Sequence, residues 1–170
     1  MAVLGVDACR AGWVGVALEE DRSVRAAVSA TITDLVAQVA CAEVIAVDMP
    51  IGLPASGQRQ ADRLAHGCLG PRRTSIFMTP VRPALETATF PEANRLAREL
   101  TGAGISRQSY ALRGKILEVE RWRHSGPAPV FEAHPELSFA LLAGGPLSTS
   151  KKSWTGMRAR LDQLERVGIH

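Results

Sequence analysis

Two short apolar runs, each ending in an aspartate, constrain this chain more than any other feature. Val3-Leu4-Gly5-Val6 leads into Asp7, and Val44-Ile45-Ala46-Val47 leads into Asp48. Continuous apolar runs of this length read as strands buried on both faces, the pattern of a parallel sheet interior. What lies between them sets the topology. Ala8 to Gly12 is a tight connection, Trp13 to Leu18 a second strand, Glu19 to Arg22 a polar turn, and Val24 to Ala30 a third strand. Connections this short join antiparallel neighbours, so the three make a meander. Thr31 or Thr33 then caps a helix with Ile32, Leu35, Val36 and Val39 at helical spacing. A helix between two buried strands is a crossover, which makes the Val44–Asp48 strand parallel to its neighbour.

Met49 to Pro54 stops that strand, because neither proline can donate to a ladder. Gln58 to His66 reads as a short helix closed by Gly67, and Gly70 to Pro91 as a long irregular segment. Helices follow over Glu92–Leu100 and Ser106–Arg123. After a Gly-Pro break, Val130 to His134 is another central strand. Pro135 opens a helix from its first turn, and Lys151 to Val167 is the last. The whole reads as one α/β domain over residues 1–170, a mixed sheet of a meander plus parallel strands flanked by helices. Residues 58–128 form a helical and loop insertion. Gly168 suits a helix C-cap, and Ile169-His170 reads as the entrance to a further element, as if the chain were cut from a longer one.

A length of 170 residues suits one hydrophobic core. No apolar run reaches the roughly 18 residues a membrane span needs. The N-terminus reads straight into a strand without a signal-peptide pattern, so a cytoplasmic location is expected. Cys9, Cys41 and Cys68 have no zinc-ligand spacing and read as reduced structural thiols. Charge is uneven: from Arg59 to Arg123 there are twelve Lys/Arg against six Asp/Glu, whereas the rest of the chain is mildly acidic. A basic segment on such a scaffold suits a polyanionic ligand.

Asp7, Asp48 and Glu132 all lie at or near the C-terminal end of an apolar strand, where parallel sheets open a crevice for ligands. A single strand-end aspartate more often caps a helix or holds a turn. Three at matching places point to a shared cation, since the carboxylates otherwise repel one another. Oxygen-only ligands suit Mg²⁺ or Mn²⁺. His134 alternates with Glu132 on one strand face, as an acid/base or supporting group. Glu136, at a helix N-terminus, reads as structural. Arg72 and Arg73 are phosphate-clamp candidates because a guanidinium pairs bidentately with phosphate, and Lys151 is a further one. Gln108, Lys115 and Glu118 lie on one helix side, as a polar edge of the site or a solvated face. There is no dinucleotide fingerprint, Walker loop or nucleophile elbow.

Val3 to Trp13, Ala46 to Pro54, Gly70 to Phe77, Gln108-Ser109-Tyr110 with Lys115 to Val119, Glu132 to Phe139, and Lys151-Lys152 with Gly156 and Arg160 together resemble a bacterial family of unknown function often labelled predicted RNase H-like nuclease. The resemblance implies an RNase H-like sheet, with Asp7 and Asp48 as paired metal ligands and Glu132 nearby. The resemblance also implies a further C-terminal helix with another aspartate-rich stretch, beyond His170.

The leading expectation is metal-dependent hydrolysis of a nucleic-acid phosphodiester, DNA or RNA. Asp7, Asp48 and Glu132 would hold the ions, His134 would assist, and Arg72, Arg73, Lys115 and Lys151 would engage phosphates. One alternative is ATP-dependent phosphotransfer of the actin and sugar-kinase kind, which needs a second phosphate loop and an adenosine site not evident here. The other is a non-catalytic nucleic-acid or protein binding module on the same fold. Few aromatics (5%) argue against an extensive base-stacking platform.

Overall fold

The computed structural model describes residues 2–39 and 42–170. Strands β1 (Ala2–Cys9), β2 (Gly12–Leu18) and β3 (Val24–Ser29) form the antiparallel meander. Helix α1 (Ile32–Gln38) carries the chain across to β4 (Ala42–Val47), which pairs parallel to β1. β5 (Val130–Glu132) adds parallel to β4, giving the order β3-β2-β1-β4-β5. The expected order of meander, helix and parallel strand is therefore present.

Local chemistry accounts for the main joints. Gly12 closes the β1–β2 turn at φ +134°, and a Cβ there would collide with the Ser29 carbonyl oxygen. The Thr31 hydroxyl caps α1 by accepting the Asp34 N–H at 3.1 Å. Ile32, Leu35 and Val36 on that helix are buried, and α1 packs on β2 and β3. Leu4 and Val6 of β1, Ile45 and Val47 of β4, and Ile116 and Val119 complete this side of the sheet as its core. The opposite face stays more open: Val3, Val16, Val24, Val28 and Phe131 are all exposed.

The remaining helices are α2 (Gln60–Leu69), a 3₁₀ turn (Gly70–Ser75), α3 (Arg82–Leu85), α4 (Phe90–Thr101), α5 (Arg107–Ala111), α6 (Arg113–Trp122), α7 (Pro135–Ala143) and α8 (Trp154–Arg166). Three of these differ from the sequence reading. α2 runs through Gly67 to Leu69, since an isolated glycine is a tolerable cost inside a helix. The segment after Gly70 is not wholly irregular, because the 3₁₀ turn and α3 lie within it. The single helix expected over Ser106–Arg123 is divided at Leu112, which ends α5 and precedes α6 with φ −82° and ψ −2°.

Two compact units emerge: Met1–Arg59 with Met78–Glu132, and Gln60–Phe77 with Ala133–His170. The expected 58–128 insertion is thus divided between them. In the first unit, the sheet is joined by α1 and α3 to α6. In the second, α2 packs on α7 and α7 on α8. Its ionic centre is Glu136, whose two carboxylate oxygens each accept from Arg160 Nη2 at 2.7 Å; both side chains are buried. Glu136 is structural, as read from sequence. No helix among the described residues is long and apolar enough to cross a membrane. Cys9 and Cys68 are free thiols; Cys41 lies outside the described residues.

Candidate functional site

The sheet register decides which carboxylates meet. Val6 pairs with Val47, and the Asp48 N–H donates to the Val6 carbonyl at 2.8 Å. The ladder ends there, and Asp7 and Asp48 are the next residue along each of these neighbouring chains, which run about 4.8 Å apart as parallel strands. Alternation sends Leu4, Val6, Ile45 and Val47 into the core, so Asp7 and Asp48 share the other face. Asp7 is exposed, and its Oδ1 accepts the following Ala8 N–H at 2.7 Å. Asp48 is half-buried and heads the loop that leaves β4. Two like charges at directly adjacent positions disfavour one another.

Glu132 takes a different place. It pairs with Val47 in the β4–β5 register, so it lies on the face opposite Asp7 and Asp48. Its carboxylate is engaged: Arg59 donates from Nη1 to Oε2 at 2.6 Å and from Nη2 to Oε1 at 2.7 Å. The Ile51 N–H donates to Oε2 at 2.8 Å, while Arg59 Nη1 also donates to the Ile51 carbonyl at 2.8 Å. This is a clamp on the loop that begins at Asp48. A second carboxylate holds the same loop: Glu120, buried, accepts the Gly52 N–H at 3.1 Å and pairs with Arg82 at 2.6 Å and Arg123 at 3.2 Å. The structure brings together Asp7 and Asp48, and beside them builds a doubly anchored loop. Among the described residues no group of three or more His, Cys, Asp or Glu side chains is placed to hold one ion.

The other site residues have definite settings. Lys115 Nζ sits 4.6 Å over the Trp13 ring, 3.5 Å from Glu118 and 3.4 Å from the Ala30 carbonyl. Glu118 accepts the Trp13 indole N–H at 3.0 Å and the Ile32 N–H at 2.8 Å. Lys115 and Glu118 thus lock α6 to β2 and to the start of α1, and are neither a bare solvated face nor an open edge. In the second unit, Arg72 Nη2 donates to the Thr149 carbonyl at 3.1 Å, while Arg73 is exposed. His134 Nε2 lies 3.3 Å from the Ser75 carbonyl, and His66 Nε2 lies 2.9 Å from the Ile76 carbonyl. These two histidines hold the segment that follows Arg72 and Arg73. Lys151 lies exposed in the turn before α8, which starts three residues later than read from sequence because Ser153 caps it through the Gly156 N–H at 3.1 Å.

Arg59 and Glu120 were missed by sequence reasoning. Nothing local marks either one: Arg59 is 73 positions from Glu132 and Glu120 is 68 from Gly52. A charged residue at a helix position facing the apolar stripe was the one available signal, in Glu120 beside Val119.

The molecule is an α/β protein with a five-stranded mixed sheet and an aspartate pair at the carboxyl end of two adjacent parallel strands. It belongs to the family described as Protein of unknown function (DUF429), whose match covers residues 5–170. Neither a curated protein nor a solved structure matches the chain.

Proposed function

We propose that this protein is a divalent-metal-dependent hydrolase of nucleic-acid phosphodiester bonds, built on an RNase H-like sheet. The observation that carries the reading is the juxtaposition of Asp7 and Asp48 on adjacent parallel strands, on one face. The strand order β3-β2-β1-β4-β5, with only β1–β4 and β4–β5 parallel, supports the fold assignment.

The donor set fits the ion. Mg²⁺ and Mn²⁺ take hard oxygen ligands, and Mg²⁺ is usually held by one or two carboxylates, with waters and substrate phosphate completing the shell. Asp7 and Asp48 would hold it. When bound, such an ion supplies Lewis-acid polarisation of a phosphoryl oxygen and activation of water. The chain's own contribution is placement. β1 fixes Asp7 through the ladder, and the Val6–Asp48 hydrogen bond fixes the backbone of Asp48. The Arg59–Glu132 and Glu120 anchors keep the loop after Asp48 from moving off the strand end. Glu132 is in this account a positioning residue. Arg73 and Lys151 lie exposed in the second unit.

The test is cleavage of end-labelled DNA and RNA, single- and double-stranded, with Mg²⁺ or Mn²⁺. Metal-dependent cleavage that falls at least about a hundredfold in both Asp7→Asn and Asp48→Asn supports the reading. Cleavage that survives both changes removes it. A second reading, a binding module without catalysis, is favoured by one observation: Glu132 is committed to Arg59 and Ile51, which leaves a pair of carboxylates rather than three. Metal-independent oligonucleotide binding with no cleavage would select it.

A further inference from the structure

Within the sheet-containing unit, two arginines are laid over aromatic rings. Arg59, Arg82 and Arg123 of the same unit each hold a carboxylate. Arg107 and Arg113 have no carboxylate within ion-pair distance among the described residues. Each is instead laid over an aromatic ring: Arg107 Cζ is 4.6 Å from the Phe90 centroid and Arg113 Cζ 4.3 Å from that of Tyr110. The rings themselves are fixed. Phe90 and Tyr110 meet edge to face at 5.7 Å, Tyr110 is buried, and its hydroxyl donates to the Thr87 carbonyl at 3.1 Å. Arg113 Nη1 also reaches the Tyr110 carbonyl at 3.5 Å.

A guanidinium stacked flat on a ring is held by its π-face and keeps most of its in-plane N–H edge for another acceptor. Holding the side chain before a ligand arrives removes part of the ordering cost of binding. Carboxylate and phosphate both match that edge. The charge of the same unit favours the polyanion: residues 78–123 carry eight Lys/Arg against five Asp/Glu. With the rings 5.7 Å apart, the two cations lie no more than about 15 Å from one another, a span that covers neighbouring phosphates of one strand.

We propose that Arg107 and Arg113, stacked on the Phe90–Tyr110 pair, form a contact site for the phosphate backbone of a nucleic acid. The proposal rests on the nucleic-acid reading above and adds to it the surface that positions the strand. It is a backbone contact, so it carries affinity and salt dependence but no base sequence.

The experiment is fluorescence anisotropy of a fluorescein-labelled 20-nucleotide oligo-dT in EDTA, over a series of salt concentrations, with the full chain. Each arginine that neutralises a phosphate contributes about 0.7 to the slope of log K against log salt for a single strand. Arg107→Gln with Arg113→Gln is expected to lower that slope by about 1.4 and to weaken binding at least about tenfold at low salt. Arg107→Lys with Arg113→Lys keeps the charge and should restore most of the slope. Circular dichroism of each variant shows that folding is intact, so a loss in the glutamine pair that lysine reverses reports charge and not packing. A wild-type slope unchanged in the glutamine pair overturns this site and leaves the hydrolase reading standing. Absence of oligonucleotide binding by the folded wild type overturns both.

Discussion

Replacing Glu132 with alanine separates a metal ligand from a clamp. The carboxylate accepts three hydrogen bonds, two from Arg59 and one from the Ile51 N–H. Hydrogen bonds involving a charged partner contribute about 1.5–3 kcal/mol each when well buried. Here the Glu132 side chain is 34% exposed and that of Arg59 only 10%, so solvent screens much of the ion pair and the sum is far from additive. A net loss of about 2 kcal/mol is expected, equivalent to a drop in melting temperature of roughly 4–8 °C for a chain of this size. The assay is urea unfolding of Glu132→Ala, Arg59→Ala and the double variant. The cycle should return a coupling of at least about 1 kcal/mol, because the same two side chains share two bonds. Mn²⁺ affinity should fall by about tenfold, the effect of loosening a supporting group, and not vanish. A stability change under about 0.5 kcal/mol with no coupling, together with complete loss of Mn²⁺ binding, would refute the clamp and make Glu132 a ligand.

Two further outcomes test the packing. Ile45→Ala, at a fully buried site, should cost about 2–5 kcal/mol, whereas Val28→Ala on the open face should stay within about 0.5 kcal/mol, both read from denaturant midpoints; similar costs at both positions would contradict the assignment of faces. Arg160→Met strips Glu136 of its buried partner and should cost about 3–5 kcal/mol, while Arg160→Met with Glu136→Leu should recover much of that loss in the same assay; a single variant as stable as wild type would show the pair to be solvated.

How much of this was legible beforehand follows from the range of the forces involved. The strand ending before Asp48 and the α1 crossover are short-range patterns, an apolar run and a capped 3.6-residue period, and they stand as read. β1 instead runs on through Asp7 to Cys9, because residues 7–9 still pair with β2. The face a carboxylate occupies depends on register between strands, which the sequence does not encode locally. Glu132 is in sequence one more strand-end acid, but pairing with Val47 turns it away from the aspartates and toward Arg59. Lys115 is similar: its helix periodicity was visible, while the Trp13 ring beneath it lies about a hundred residues away in the chain. The break at Leu112 was hidden because the apolar stripe continues in phase across it. Gly67 misled in the other direction, as a helix end that the chain passes through.

The central claim is that Asp7 and Asp48 together bind a divalent ion, and the most direct measurement is calorimetric titration of Mn²⁺ into the full chain and into Asp7→Asn and Asp48→Asn. One-site binding by wild type that is lost in both variants, with unfolding curves otherwise unchanged, is the predicted result. No binding by folded wild type, or binding that survives both substitutions, would contradict the account.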